Sequence, residues 1–141
     1  MPLVFAAAAN HAPGITARRD AAAPRQREVF FAAWDALRHR LEAARLDALI
    51  VVSSEHYTNF FVQLNVEFDR AFVDDFLAND AARMTRHSDE EIVRAAGPGG
   101  HEIRSWIVAA AAAGGNSGEV LCFEPIPAYA VTGCIATLAV Q

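Results

Sequence analysis

The sequence contains no lysine: all 12 of its basic side chains are arginine. Schiff-base chemistry, which needs a lysine amine, is thereby excluded. Cysteine is scarce. Cys122 and Cys134 stand without Cys-x-x-Cys spacing, so neither a zinc cage nor a dithiol redox centre is suggested, and their apolar surroundings suit small, reduced core residues. Basic charge is thin as well. Seventeen acids outweigh the 12 bases, for a net charge of −5, and no basic cluster is longer than Arg18–Arg19. The positive stripe that nucleic acid requires is missing. No apolar run approaches the roughly 20 residues that span a bilayer. The Ala109–Ala113 run is bounded by Arg104 and by Gly114–Gly115. The apolar start, Leu3 to Ala9, has no positive residue before it and makes a poor signal peptide. A soluble cytoplasmic protein with no nucleic-acid or membrane partner is expected.

What is present is a globule. The 141 residues suit one domain, and a hydrophobic content of 53% suits a packed core. Leu3 to Ala9 is a continuous apolar run, as in a strand buried on both faces. Asn10 to Ala23 is a loop punctuated by Pro13–Gly14. Pro24 then opens a helix that runs to about Arg45, with Phe30, Trp34, Leu37, Leu41 and Ala44 on one apolar face. Ala48 to Val52 is β-branched and apolar and reads as a second buried strand. Strand, helix, strand predicts a right-handed βαβ unit with parallel strands.

Past this unit, helical signals dominate. Asn65 can cap a helix from Val66 to about Ala78, with Phe68, Phe72, Val73, Phe76 and Leu77 facing inward. Ser88 to Glu91 is a capping box, and Gly97 stops that helix. Gly97-Pro98-Gly99-Gly100 precedes another helix, His101 to Ala113, with Ile103, Trp106, Ile107 and Ala110 as its buried stripe. Those glycines lack the lysine and spacing of a phosphate-binding loop, and a helix-entry turn accounts for them. Glu119 to Phe123 and Gly133 to Val140 read as strands, separated by a turn with Pro125 and Pro127.

In an open parallel sheet, ligands sit beyond the carboxyl ends of the strands. His11 lies two residues past the first expected strand and His56 four past the second, so both reach the same sheet edge. Two histidines and one carboxylate on one face of a metal, with open positions opposite, suit non-haem Fe(II). The nearby carboxylates are Glu55 and Glu67. Glu55 adjoins His56 and would point the other way in an extended segment. Glu67 opens a new helix and can fold back to the same edge. Taken singly, each residue also fits a plainer role: a solvated loop histidine, or an acid that serves the helix dipole.

Local motifs add a resemblance. Asn10-His11-Ala12-Pro13-Gly14 after an opening strand resembles the Ser-His-x-Pro signature of class III extradiol ring-cleavage dioxygenases. Glu55-His56-Tyr57-Thr58-Asn59-Phe60-Phe61 is similar to the segment that carries their second iron histidine. Asn65-Val66-Glu67-Phe68-Asp69 resembles the segment that supplies the iron glutamate, and Gly100-His101-Glu102-Ile103-Arg104-Ser105-Trp106 resembles the C-terminal helix.

The resemblance, to the catalytic B-subunit type, implies an α/β fold: a small, mostly parallel sheet with flanking helices. An N-terminal βαβ part (1–61) and a C-terminal part of helices and closing strands (65–141) would form one shortened domain. It implies Fe(II) held by His11, His56 and Glu67, a catechol-type substrate, O₂, and extradiol ring cleavage, with no dissociable organic cofactor. The long stretch that separates the second histidine from the glutamate in this family is missing between Phe61 and Asn65, and with it the family's acid/base histidine. No other histidine here (His39, His87 or His101) matches that role by motif, so no catalytic residue is assigned. A catalytically inactive metal-binding remnant or partner subunit is the alternative. Uncovered sheet edges invite pairing, so a homo-oligomer or a partner chain is expected.

Overall fold

A computed structural model describes residues 2–53 and 64–140. Strand β1 (Ala6–Ala9) leads through a short helix α1 (Pro13–Ala17) to the long helix α2 (Pro24–Ala43). Helices α3 (Val66–Leu77), α4 (Ala81–Met84), α5 (Asp89–Ala96) and α6 (Ile103–Ala112) follow, then strands β2 (Gly118–Ile126) and β3 (Val131–Leu138).

The sheet corrects the expected topology. Its order is β1-β3-β2, and both pairings are antiparallel. Ala6 lies opposite Leu138 and Ala9 opposite Ile135, so the first strand pairs with the last rather than with 48–52. That segment is not a strand in the structure. Leu49, Ile50, Val51 and Val52 are 64%, 89%, 72% and 52% exposed. The physical reason is that an apolar run records a tendency to be buried and names no partner. Two antiparallel ladders, one of them a hairpin, place β3 in the centre, where nearly every residue is buried. The mixed helix and strand character stands; the parallel βαβ unit does not.

Alternation along β3 then builds two cores. Ile135 faces α2 and packs with Phe30, Ala33 and Leu37. Cys134, Ala136 and Leu138 face the other way, onto Phe72, Val73, Phe76, Trp106 and Ala110 of α3 and α6. A register shift between Val120 and Cys122 turns Cys122 to the α2 side while Val120 and Phe123 stay on the α3 side, as one extra residue in a bulge requires. The result is a three-layer arrangement, α2 against the sheet against α3 and α6.

The helix ends follow their chemistry. Asn65 Oδ1 accepts from Phe68 N at 3.0 Å, and its Nδ2 donates to Ala95 O at 3.0 Å, so one residue caps α3 and ties it to α5. The capping box is complete: Ser88 N donates to Glu91 Oε2 at 2.8 Å and Glu91 N donates to Ser88 Oγ at 3.2 Å. Ala130 closes the β2–β3 turn at φ +57°. No helix among the described residues is long and apolar enough to cross a membrane.

Candidate functional site: a ring-lined cavity beside His11

A cavity of about 320 Å³ opens between the end of β1, α3, α6 and the start of β3. Ligand pockets begin at roughly this size. Asn10 is among its lining residues. The Asn10 N–H donates to Cys134 O at 3.0 Å, and Asn10 Oδ1 accepts from Cys134 N at 2.6 Å. The pair of bonds continues the β1–β3 ladder by one residue and fixes the backbone that carries His11, which lines the cavity.

The walls are aromatic. Phe72, Trp106 and Phe123 line the cavity with Tyr129. Phe72 meets Trp106 edge-on, with ring centroids 6.4 Å apart and planes at 69°. The Arg70 guanidinium sits 3.5 Å above the Phe123 ring centre, a cation–π contact. The Tyr129 hydroxyl donates to Arg19 O at 2.5 Å, which commits its polar end and leaves the ring as wall.

Two acids, Asp69 and Glu102, line the cavity. Asp69 lines the cavity, and its Oδ2 accepts from Thr132 Oγ1 at 2.5 Å. Burial raises its carboxyl above the ordinary 3.8, and the Thr132 hydrogen bond opposes the rise. Cys134 lies deeper, and burial pushes its thiol up to about 12. It is a thiol rather than a nucleophilic thiolate at neutral pH.

Of the residues expected to hold iron, the structure places His11 at the cavity. Glu67 stands exposed in the first turn of α3 and is not among the lining residues. His56, like Glu55, lies outside the described residues. Among the described residues, no group of three or more His, Cys, Asp and Glu side chains could hold a metal ion. The described side chains therefore do not by themselves fit a metal centre. Asp69 was not singled out from the sequence. Its signal is an acid within the stripe 69, 72, 73, 76, the inward face of α3. Thr132 carries no comparable signal, since only the hairpin register brings it to α3.

The 2,3-dihydroxyphenylpropionate/2,3-dihydroxicinnamic acid 1,2-dioxygenase of Xanthobacter autotrophicus is 37% identical to this chain over 90 residues. The chain is similar to a dioxygenase. The aligned part is 60% of this chain and 29% of that relative, so the chain spans less than a third of the relative's length. The relative's name carries no B-subunit type. No protein-family profile and no solved structure matches the chain.

Proposed function

We propose that this chain binds catechol-type aromatic molecules in the cavity between β3, α3 and α6, as a protein of the extradiol ring-cleaving dioxygenase type that uses O₂. The observation that carries the reading is the cavity itself: four rings, Phe72, Trp106, Phe123 and Tyr129, line a space beside Asp69 and His11. Such a lining suits a flat ring with hydroxyl groups, and the dioxygenase similarity supports that class. Apolar walls with a few convergent polar groups are the usual make-up of a small-molecule site.

Trp106 makes the reading testable by fluorescence. The chain has 2 tryptophans. The other, Trp34, has a buried indole N–H without a hydrogen-bond partner, so Trp34→Phe loses no hydrogen bond and leaves Trp106 alone to report. Catechol and 2,3-dihydroxyphenylpropionate are expected to quench this variant saturably. No saturable change up to millimolar ligand, with no rise in melting temperature, overturns the reading.

Ring cleavage itself is separated from binding by metal analysis. In the iron-dependent form of the proposal His11, His56 and Glu67 are the ligands. Anaerobic Fe(II) loading then gives about one iron per chain, lowered in His11→Ala and Glu67→Ala, and exposure to a catechol and air gives a coloured ring-fission product. A second reading, a binding protein without ring-cleavage activity, is favoured by the missing stretch between Phe61 and Asn65, which carries the acid/base histidine in the family that the chain resembles. Saturable catechol binding with no iron uptake and no product selects it.

A further inference from the structure

We infer that Asp69, oriented by Thr132, is the group that reads a ring hydroxyl in the cavity, so that the site selects phenolic O–H donors over ethers of the same shape. This deepens the catechol-binding proposal and rests on it. Thr132 is buried on β3 and donates to one carboxylate oxygen, Oδ2. The other, Oδ1, has no hydrogen-bond partner among the described residues, and Asp69 lines the cavity. The Thr132 hydroxyl has only one proton to give, so the pair presents an acceptor and no second donor.

The surroundings make that acceptor selective. Phe72 and Val73 follow Asp69 on the inward face of α3, and Phe123 and Trp106 line the same cavity, as do the polar His11, Arg18 and Glu102. A ligand that fills the cavity strips water from Oδ1. A hydroxyl on the ring replaces the lost water hydrogen bond. A methoxy group at the same place brings only another acceptor and leaves the carboxylate desolvated and unpaired. A ligand carboxylate there meets like charge. Arg70 is engaged with the Phe123 ring, and no ion pair between it and Asp69 is present among the described residues. Asp69 therefore differs from Asp75, a buried acid of the same helix that is neutralised by Arg83 at 3.5 Å and Arg86 at 3.3 Å.

A purely structural Asp69, pinning α3 to β3 through Thr132, is the competing account. The two differ in ligand preference. Affinities of catechol and 1,2-dimethoxybenzene are measured by Trp106 fluorescence in the Trp34→Phe background. Catechol is expected to bind about ten- to a hundredfold tighter, the range of a hydrogen bond to a charged acceptor. Asp69→Leu, of similar volume, is expected to bring the two ligands within about threefold by weakening catechol alone. Asp69→Asn, which keeps an acceptor oxygen, restores part of the preference. Should Asp69→Leu fail to fold, Thr132→Val removes the orienting donor and is expected to reduce the preference with dimethoxybenzene affinity unchanged. A catechol preference that survives in these variants overturns the inference and leaves the catechol site standing. If neither ligand binds the parent protein, the proposed function falls, and this inference with it.

Discussion

Gly133→Ala tests the way the sheet is seated on α2. A Cβ built on Gly133 comes within 2.7 Å of Phe30 Cδ2, 2.8 Å of Cε2 and 3.2 Å of Glu124 O. Carbon atoms ordinarily meet at about 3.5–4.0 Å, so the ring must retreat by most of an ångström. It has nowhere to go. Phe30 is fully buried, and its ring meets Phe31, Trp34 and Tyr129 edge-on at 5.6, 6.4 and 6.4 Å. Overpacking of this kind costs about 1–3 kcal/mol. At about 2.1 cal/mol/K per residue, the unfolding entropy of this chain is roughly 0.3 kcal/mol/K, so a loss of about 2 kcal/mol lowers Tm by roughly 7 °C. Phe30→Leu trims the ring and makes room for the methyl. Alone it is expected to destabilise by less than the about 3–5 kcal/mol of a Phe→Ala change. Combined with Gly133→Ala it should cost at least about 0.5 kcal/mol less than the sum of the single changes, as for groups in contact. Thermal unfolding followed by circular dichroism measures all three. A Gly133→Ala protein within 1 °C of the parent, or strictly additive losses in the double variant, would refute the close contact on which the estimate of roughly 7 °C rests.

Burial holds the Cys122 thiol up at about 11 and Cys134 at about 12, so both should react with Ellman's reagent at pH 8 at least a hundredfold more slowly in the folded protein than in guanidinium; rapid native labelling of both would contradict their placement. Asp69 has a raised carboxyl, so between its unfolded value and its folded one the folded chain holds a proton that the unfolded chain has released. Stability therefore falls as pH rises from about 4 through the folded value. Asp69→Asn removes this dependence, and its melting temperature relative to the parent should climb over that window; a parallel pair of curves would count against the shift. Asp75→Asn should destabilise by about 1–3 kcal/mol, since a buried acceptor pair loses its charge partners Arg83 and Arg86; an unchanged urea midpoint would show those pairs to be idle. The exposed run Leu49–Val52 and edge strand β1, which has one partner among the described residues, favour self-association at micromolar concentration. Ile50→Lys should shift light-scattering mass toward the monomer, and a parent that is monomeric throughout would remove the expectation.

Local chemistry was legible in the residues. Asn65 and Ser88 cap where side-chain oxygens can reach backbone N–H groups three residues on, Pro24 opens α2, and the stripes of α2, α3 and α6 face the cores they predict. Each is a short-range consequence of helix geometry, decided within a few residues. His11 was expected at the carboxyl edge of a parallel sheet, beside His56; the sheet is antiparallel, and His11 lines a cavity at the end of β1.

Strand partners were not legible. Ala6–Ala9 and 48–52 carry the same apolar signal, yet one is paired and the other exposed. Ladder hydrogen bonds join backbone groups that every residue owns, so pairing is chosen by which segments the rest of the chain brings together. That choice set β3 against β1, and through the hairpin register it put Thr132 beside Asp69. The sequence by itself determined helices, caps and an apolar interior. Only the tertiary structure turned an acid on an apolar helix face, a threonine sixty-three positions away and four rings from separate elements into one cavity, because convergence over such distances is a property of packing and not of spacing.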